Sequence, residues 1–374
     1  MPPNSSRNKP HAKPAATLVP NELLLYCRPG FESDLSAELQ ARIDALDARD
    51  AAGHATAEPN AGHVSWIMDN GRAANGLHRE LPLDALVFAR QSLVALPPLV
   101  GLSRDDRLTP IIAQVVASGW SFESLWQETP DSNDAKALAG LMKALQRPLE
   151  STLRKRGALR RKAGGRRLHL YWTTGDGVQL GMSFPGKRSE TLGGIRRLRF
   201  PHDAPSRSTL KLEEAWHEFI PRDEWPERLH AGMQAADLGA APGGWTYQLV
   251  RQGMYVYAID NGPMGRELMA TGQVEHLRED GFTWQPPQRL DWLVCDIVDK
   301  PMRVVDMVER WLLKRWCREA VFNLKLPMKQ RWEEVARCLE RLEARLADAG
   351  VEARIACKQL YHDREEVTVH VRLS

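Results

Sequence analysis

The sequence feature that most constrains the fold is a glycine-rich stretch, ADLGAAPGGWT, between Ala236 and Thr246. An apolar run precedes it and a helix-favouring run follows, so the pattern predicts a strand, a tight turn and a helix N-terminus. Gly239, Gly243 and Gly244 permit backbone conformations and close ligand approach that side chains prevent. The free N–H groups of such a helix end can bind an anion. The dinucleotide pattern G-x-G-x-x-G is not met, because Ala241 replaces its second glycine. An ordinary strand-to-helix turn is the alternative interpretation.

Around this turn, strands and helices alternate as a doubly wound parallel sheet requires. The pattern predicts strands at Gln234–Leu238, Met254–Ile259, Trp292–Asp296, Glu319–Asn323, Ala353–Gln359 and Thr368–Leu373. It predicts helices at Thr246–Gln252, Val304–Trp316 and Trp332–Ala349. Residues 206–374 are therefore expected to form an α/β, Rossmann-like domain.

The preceding half is expected to form an α+β region over residues 21–185. Strands are predicted at Leu23–Cys27 and His63–Met68, and a hairpin from His169–Thr173 and Gly177–Ser183. Helices are predicted at Glu32–Ala48, Ile111–Ala117 and Ala135–Arg147, with a loop at 49–62. Leu83–Leu96 fits either a strand or a helix. Residues 1–20 are interpreted as a flexible basic tail without a secretory signal, and residues 186–205 as a linker between the two domains.

Composition narrows the class of protein. Hydrophobic residues make up 43% of the chain and charged residues 26%, which is typical of a globular protein. No stretch approaches the roughly 18 consecutive apolar residues of a membrane span, so no membrane association is expected. The five cysteines are scattered without a C-x-x-C pair, which argues against a zinc site and a disulfide scaffold. A reducing cytoplasm is the expected location.

Positive charge is concentrated before and after the predicted hairpin. Eight of the fourteen residues from 154 to 167 are basic: Arg154, Lys155, Arg156, Arg160, Arg161, Lys162, Arg166 and Arg167. A second cluster comprises Lys187, Arg188, Arg196, Arg197 and Arg199. Such a local field suits a polyanion, because each neutralised phosphate releases counterions. A solvated basic face is the alternative interpretation.

Charged residues also stand next to the apolar strands of the second half. Asp296 and Lys325 follow apolar runs, where a charge is costly unless it is paired or used. Lys211 starts a helix before the glycine turn, and Glu366 precedes the last strand. Taken singly, each is more often a structural or surface charge. Together they form an ordered set, Lys, Asp, Lys, Glu, on one α/β domain.

This pattern resembles a known family. The glycine turn is similar to the first motif of S-adenosylmethionine-dependent methyltransferases, and the four charged residues resemble those of the FtsJ-like ribose 2′-O-methyltransferases. Longer stretches are similar to the branch of that family that modifies the large ribosomal RNA; they cover residues 204–215, 322–329 and 360–370. The chain departs from the family at Ala241, where other members have cysteine. A small residue there should leave cofactor binding intact.

The resemblance implies methylation of a cytidine 2′-hydroxyl in the peptidyl-transferase loop of 23S ribosomal RNA, with a THUMP-containing RNA-binding region in the first half. S-adenosylmethionine is the implied cofactor, and its site would comprise Ser208, Ala241, Pro242, Gly243, Gly244, Asp260, Asp280 and Asp296. In dinucleotide sites a carboxylate placed like Asp260 binds ribose hydroxyls, whereas Asp280 also fits a turn-forming Asp-Gly. No metal is expected, because a sulfonium is reactive without one.

The resemblance makes Lys325 the proton acceptor. We expect burial and the neighbouring Lys211 to lower its pKa, which Asp296 would oppose if it lies close, since it favours the charged amine. Asp296 is expected to orient the amine and the cofactor, and Glu366 to position Lys211 or the ribose. Two alternatives remain open at this point. The substrate could be another RNA, or the chain could be a non-catalytic RNA-binding or ribosome-assembly factor on the same fold. A monomer is the simplest state for an enzyme that binds a large RNA.

Overall fold

The structure, a computed structural model, describes residues 20–46, 51–69 and 74–374. Apart from residue 20, the tail expected at 1–20 lies outside these residues, as do the last residues of the helix predicted at Glu32–Ala48. Two seven-stranded sheets form within the described part of the chain. One is built from strands between Glu22 and Ser183 and the other from strands between Gln234 and Leu373.

The first half contains fewer helices than strands in its described residues. Its elements are β1 (Glu22–Tyr26), α1 (Glu32–Ala45), β2 (Gly53–Thr56), β3 (His63–Met68), α2 (Asn75–Glu80), β4 (Gln91–Ala95), α3 (Leu108–Ala117), β5 (Ser124–Glu128), α4 (Ala139–Lys155), β6 (Arg167–Trp172) and β7 (Val178–Ser183). Short 3₁₀ turns occur at Leu83–Ala85, Asp134–Leu138 and Leu192–Gly194.

The first sheet has the strand order β2-β3-β1-β4-β7-β6-β5 and is antiparallel except for the pair β5 and β6. The predicted hairpin of β6 and β7 is confirmed. The loop predicted at 49–62 was wrong in part, because β2 pairs with β3 as an edge strand despite its loop-like composition. The ambiguous segment Leu83–Leu96 resolves into a 3₁₀ turn followed by β4.

The second half alternates between the two element types, as predicted. Its elements are α5 (Thr209–Phe219), α6 (Trp225–Arg228), β8 (Gln234–Leu238), α7 (Gly244–Arg251), β9 (Tyr255–Ile259), α8 (Arg266–Met269), β10 (Val274–Leu277), β11 (Leu290–Cys295), α9 (Pro301–Leu313), β12 (Cys317–Lys325), α10 (Arg331–Asp348), β13 (Ala353–Lys358) and β14 (Glu366–Leu373); a 3₁₀ turn covers Arg222–Glu224.

The second sheet has the order β10-β9-β8-β11-β12-β14-β13. Neighbours from β10 to β12 are parallel, and β14 is antiparallel to both β12 and β13. The strand order reverses between β8 and β11, the kind of switch point where open α/β sheets bind ligands at the carboxyl ends of their strands. The glycine turn follows β8, so it lies at this edge.

The two halves are bound together by apolar and polar contacts. Buried residues of α1 and α10 belong to one continuous apolar cluster. Lys358 donates hydrogen bonds to the carbonyls of Leu83 and Leu86, each at 2.7 Å, and Arg331 pairs with Asp34 at 3.0 Å. Because Lys358 is buried, its ammonium depends on those carbonyls for hydrogen bonds. Residues of the first half thus lie close enough to the second sheet to shape a site there.

The segment predicted as a linker also packs against the first sheet. Its Ser189 N–H donates to Gln91 Oε1 at 3.0 Å, and its Gly193 N–H donates to Glu128 Oε1 at 2.8 Å. These bonds join the segment to strands β4 and β5. The 186–205 segment is therefore part of the first half's packing rather than a free connection.

Candidate active site at the carboxyl edge of the second sheet

Four charged side chains that are far apart in sequence meet at this edge. Lys211 lies in the first turn of α5, and Asp296 directly follows β11. Lys325 ends β12 and Glu366 begins β14, and the register places these two residues opposite each other. Residues paired across antiparallel strands project from the same face of the sheet. The topology therefore brings together the set that the sequence predicted, which we call the tetrad.

The tetrad is a closed ring of ion pairs. Lys325 Nζ lies 2.7 Å from Asp296 Oδ1, and Lys211 Nζ lies 3.1 Å from Asp296 Oδ2. Glu366 joins the two amines on the other side: its Oε1 pairs with Lys211 Nζ and its Oε2 pairs with Lys325 Nζ. The side chains of Lys211 and Asp296 are 16% exposed and that of Lys325 is 22% exposed. The ring is thus electrically balanced, yet it remains open to a substrate on one side.

These pairs set the pKa values of the ring. Although burial alone would raise it, Lys211 and Lys325 hold the pKa of Asp296 below its usual range. Burial lowers the pKa of Lys325, but Asp296 and Glu366 outweigh burial and raise it above the usual lysine value. The expectation that Lys211 and burial would lower the Lys325 pKa was therefore wrong. The physical reason is that two carboxylates, those of Asp296 and Glu366, contact the amine and stabilise its charged form.

A buried hydrogen-bonded chain supports the tetrad from below. Asn323 Nδ2 donates to Asp296 Oδ1 at 2.9 Å, and Thr368 Oγ1 donates to Asn323 Oδ1 at 2.8 Å. Thr368 Oγ1 also lies 3.0 Å from Asp363 Oδ2. Burial, with Glu366 adding to it, raises the pKa of Asp363 well above the usual carboxyl value. Asn323 and Asp363 lie in stretches that carry the family resemblance, but no local pattern around them predicts this role.

The first half reaches this chain through Arg28, which follows β1. Its guanidinium donates to the carbonyl of Tyr361 at 2.7 Å and also to that of Asp363. Both carbonyls belong to the loop that leads into β14 and Glu366. Sequence reasoning missed Arg28, because 333 residues separate it from Tyr361. The first half therefore holds the loop beside the tetrad in place.

The glycine turn has the predicted strand–turn–helix form. Gly239 and Gly243 adopt φ values of +79° and +108°, which favour glycine. Helix α7 begins at Gly244, and a Cβ there would clash with the hydroxyls of Ser206 and Ser208. Ser208 therefore packs directly on the turn, as expected for two parts of one site. The first hydrogen bond of α7 runs from the Tyr247 N–H to the Gly243 carbonyl. The Gly244 N–H therefore has no partner within the helix.

Three carboxylates, those of Asp237, Asp260 and Asp296, lie around this turn on neighbouring strands. Asp260 follows β9 and accepts hydrogen bonds from Ala241 N–H at 3.1 Å and Gly262 N–H at 2.7 Å. Asp237, near the end of β8, is buried and accepts the Thr246 hydroxyl at 2.6 Å. Burial raises the pKa of Asp237 to about 7, with Asp296 and Asp260 adding to the rise. This cluster of acids suits a cationic ligand, although Asp237 was not among the predicted site residues.

The other predicted cofactor residues lie close to the turn. Ala241 and Pro242 are the turn itself, and Pro242 accepts a hydrogen bond from Gly265 N–H at 2.9 Å. Asp280 is exposed, and its carboxylate accepts Phe282 N–H at 2.9 Å, as in the turn-forming alternative. Its neighbour Gly281 packs near Leu238, so the loop borders the same edge.

The basic run is divided between exposed and structural residues. Exposed members are Arg154, Lys155, Arg156, Arg160, Arg161 and Lys162, and Arg166 is half-buried. Arg167 is buried, pairs with Glu190 at 2.7 Å and lies 3.4 Å from the centre of the Trp126 ring. Arg167 is therefore removed from the predicted RNA-binding set, because its guanidinium is committed to contacts inside the protein.

The described residues contain no group of three or more His, Cys, Asp or Glu side chains arranged to hold a metal ion. None of the helices in the described part of the chain is long and apolar enough to cross a membrane. Each of the five cysteines is described, buried and a free thiol.

Family models match most of the chain. They are described as an RlmM ferredoxin-like domain over residues 21–93, ribosomal RNA large subunit methyltransferase M, N-terminal, over 106–184, and FtsJ-like methyltransferase over 204–335. These models carry a ferredoxin-like description in the first half, and the THUMP assignment stays a prediction.

Curated relatives match over nearly the whole length. The ribosomal RNA large subunit methyltransferase M of Chromohalobacter salexigens is 73% identical over 356 residues, which are 95% of this chain and 99% of the relative. That of Pseudomonas putida KT2440 is 49% identical over 94% of this chain and 98% of the relative. A solved fibrillarin from Aeropyrum pernix matches 56% of this chain and 84% of its own at 14% identity with a TM-score of 0.31, too distant to carry an argument.

Proposed function

The chain belongs to the ribosomal RNA large subunit methyltransferase M family, with an FtsJ-like catalytic domain, and from this premise we propose the reaction and its acceptor. The protein transfers a methyl group from S-adenosylmethionine to the 2′-hydroxyl of a cytidine in 23S ribosomal RNA. The observation that carries this proposal is the tetrad of Lys211, Asp296, Lys325 and Glu366 beside the glycine turn.

The residues of the turn fit the cofactor. Asp237, Asp260 and Asp296 surround it with negative charge, which suits a sulfonium and an amino group. The N-terminal end of α7 carries N–H groups that can bind a carboxylate, and Ser208 adds a hydroxyl next to Gly244. Asp280 would contribute from the neighbouring loop. S-adenosylmethionine supplies a methyl group on a positively charged sulfur.

A ribose hydroxyl is a poor nucleophile until its proton is removed. Lys325 in its neutral form would take the 2′-hydroxyl proton as that oxygen accepts the methyl group that bound S-adenosylmethionine would supply from its sulfur. The amine then releases that proton to solvent. Asp296 and Glu366 orient the amine of Lys325. Lys211 stays paired with both carboxylates while Lys325 takes the proton. Proximity and orientation contribute much of the acceleration.

Lys325 must first lose the proton that Asp296 and Glu366 hold on it. A cation bound beside Asp296 competes for that carboxylate, and a bound ribose excludes water from the amine. Both effects lower the pKa of Lys325 in the substrate complex. The closed ion-pair ring is therefore a resting arrangement, and we expect the rate to rise with pH as the neutral amine becomes more abundant.

The RNA partner is supported by the exposed members of the basic run in the first half and by the half-buried Arg166. In this proposal, phosphates of 23S ribosomal RNA are bound by seven basic side chains: Arg154, Lys155, Arg156, Arg160, Arg161, Lys162 and Arg166. A monomer acting in the cytoplasm is the state we propose.

Nucleoside analysis tests the reaction. Purified protein is incubated with 23S ribosomal RNA from cells lacking it and with methyl-labelled S-adenosylmethionine, and the RNA is digested to nucleosides. We expect the label in 2′-O-methylcytidine. Label in a methylated base would contradict the proposed reaction. Label in the ribose of another nucleoside, or in another RNA, would show that the proposed substrate is wrong. RNA binding without cofactor binding in calorimetry would instead favour the assembly-factor alternative.

A further inference from the structure

A cleft between the two halves opens directly onto the tetrad. Its volume is about 460 Å³, within the range of roughly 300–1,000 Å³ of small-molecule sites. Arg28 and Asp131 of the first half line it together with Arg207 and the loop at Tyr361–Arg364. Lys211 and Glu366 line its inner end. A molecule in the cleft would therefore lie next to the reacting groups.

The charges of the cleft are unequally satisfied. Asp131 pairs with Arg90 at 3.4 Å, and Glu366 is held by the tetrad. Burial raises the pKa of the Asp363 carboxyl well above its usual range, and this carboxyl accepts hydrogen bonds from the Leu360 N–H and the Thr368 hydroxyl, each at 3.0 Å. By contrast, Arg207 and Arg364 are exposed, and no carboxylate among the described residues lies within 4.0 Å of either guanidinium. Arg28 also has no carboxylate partner among the described residues, but its guanidinium is used by the carbonyls of Tyr361 and Asp363. Arg207 and Arg364 are therefore the exposed arginines of the cleft whose charge is not compensated.

The chemical structure of RNA indicates which group these two arginines would bind. In RNA the 2′-hydroxyl and the 3′-phosphate occupy adjacent carbons of one ribose, so a ribose held at Lys325 brings a phosphodiester to the same region. Guanidinium groups bind phosphate oxygens in a fork geometry. We propose that the cleft holds the RNA strand on either side of the target ribose and that Arg207 and Arg364 bind its phosphodiester groups. This inference rests on the proposed function and assigns its substrate contacts.

The inference also explains how the first half contributes next to the reaction. Arg28 lines the cleft and holds the carbonyls of Tyr361 and Asp363, so the loop carrying Arg364 is tied to the first sheet. The isolated second domain would therefore lack part of the lining of the cleft. The RNA strand, in this account, is bound by both halves.

Steady-state kinetics with unmethylated 23S ribosomal RNA test it in the full-length protein. We expect Arg207→Ala and Arg364→Ala each to raise KM for RNA about tenfold, with kcat changed less than about twofold. Each should also flatten the slope of log affinity against log salt by about 0.7. Arg207→Lys should restore part of the affinity. Arg354→Ala, an exposed arginine on β13 without an ion pair among the described residues, is the matched control and should leave KM unchanged.

Variants with the KM and salt slope of Arg354→Ala would overturn the inference, as would a fall in kcat at constant KM. Melting temperatures and cofactor titration by calorimetry identify any variant that is misfolded, in which case Arg207→Gln and Arg364→Gln replace it. A wild-type protein that transfers no methyl group would refute the proposed function instead. Filter binding of the same RNA to the same variants would then still decide whether these arginines bind phosphate.

Discussion

Each of the two sheets holds a cluster of charged side chains, but the clusters differ in place and exposure. In the first sheet, Glu128 accepts the Tyr26 hydroxyl at 3.0 Å and pairs with His169 Nδ1 at 2.6 Å, and His169 Nε2 lies 2.7 Å from Ser183 Oγ. The side chains of Glu128 and His169 are fully buried. In the second sheet, the tetrad lies at the carboxyl edge and is partly open to solvent.

The difference teaches that location decides what a charge cluster can do. A pair buried within a sheet, with its hydrogen bonds satisfied, has no route to a substrate and serves stability and specificity. A ring at the edge where strands end can exchange one partner for a ligand. The same residue types therefore maintain structure in the first half and are available for chemistry in the second.

The largest effect should follow from changing the tetrad. We expect Lys325→Ala to lower kcat by about 10³-fold, within the usual range for loss of a general base, while cofactor affinity in calorimetry stays within a few fold. Lys325→Arg is the informative control, because it keeps the positive charge but does not lose a proton near neutrality. An active arginine variant would mean that Lys325 contributes charge rather than proton transfer.

The matching change in the first sheet should affect stability alone. Although burial alone would raise it, His169 holds the pKa of Glu128 below its usual value. The ionised pair therefore contributes to the free energy of unfolding at pH values above the ordinary carboxyl pKa of about 4.3. This contribution is lost as pH falls below that value and Glu128 becomes protonated. We expect Glu128→Gln to lower the free energy of unfolding by about 3 kcal/mol in urea titration, with kcat of the folded protein unchanged.

Asp306→Asn is the control for that experiment, because Asp306 pairs with Arg341 at 3.5 Å and both side chains are about half exposed. It should cost less than about 1 kcal/mol. A Glu128 variant that unfolds normally but loses catalysis would break the distinction between the two clusters.

A smaller effect is expected in the pH dependence of cofactor binding. Because burial raises the pKa of Asp237 to about 7, this carboxyl gains a proton as pH falls below 7, and a cationic ligand then loses a favourable charge. Affinity for S-adenosylmethionine should weaken by up to about tenfold per pH unit below 7. Calorimetry between pH 6 and pH 8 measures this. Asp237→Asn should flatten the profile, whereas Asp280→Asn should keep its shape; an unchanged profile in Asp237→Asn would exclude Asp237 as its source.

The smallest effect should come from the surface of the first half. Replacing Arg160, Arg161 and Lys162 by glutamine should weaken RNA binding and reduce the slope of log affinity against log salt by up to about 2. Filter binding over a range of salt concentrations measures the slope. The control neutralises Lys314, Arg315 and Arg318, all exposed at the opposite end of β12. Equal effects in the two triple variants would mean that the basic run binds RNA no more specifically than other positive parts of the surface.

Much of the second sheet could be predicted because its signals are local. Apolar runs followed by Asp296 or Lys325 mark strand ends, and the glycine turn marks the helix after β8. The predicted strands there match β8, β9 and β11 to β14 closely, whereas β10 was missed, because Val274–Leu277 is short and only partly apolar. Edge strand β2 was missed for a similar reason, since its glycine and histidine resemble a loop.

What the sequence could not predict depends on contacts between distant residues. The raised pKa of Lys325 requires knowing that Glu366 lies opposite it in β14. Arg28 and the chain from Asn323 to Asp363 acquire their positions only when the two halves pack together. The burial of Arg167 likewise follows from its pairing with Glu190 and Trp126, which no count of basic residues contains.

The central claim is that the tetrad at the edge of the second sheet delivers a methyl group to one ribose of the large ribosomal RNA. The most direct test is to map 2′-O-methylation across ribosomal RNA from cells lacking this protein and from the same cells supplied with the wild-type chain or with Lys325→Ala. We predict that a single cytidine in 23S ribosomal RNA loses its methyl group, regains it with the wild-type chain and does not regain it with Lys325→Ala. An unchanged methylation map, or full restoration by Lys325→Ala, would contradict the account.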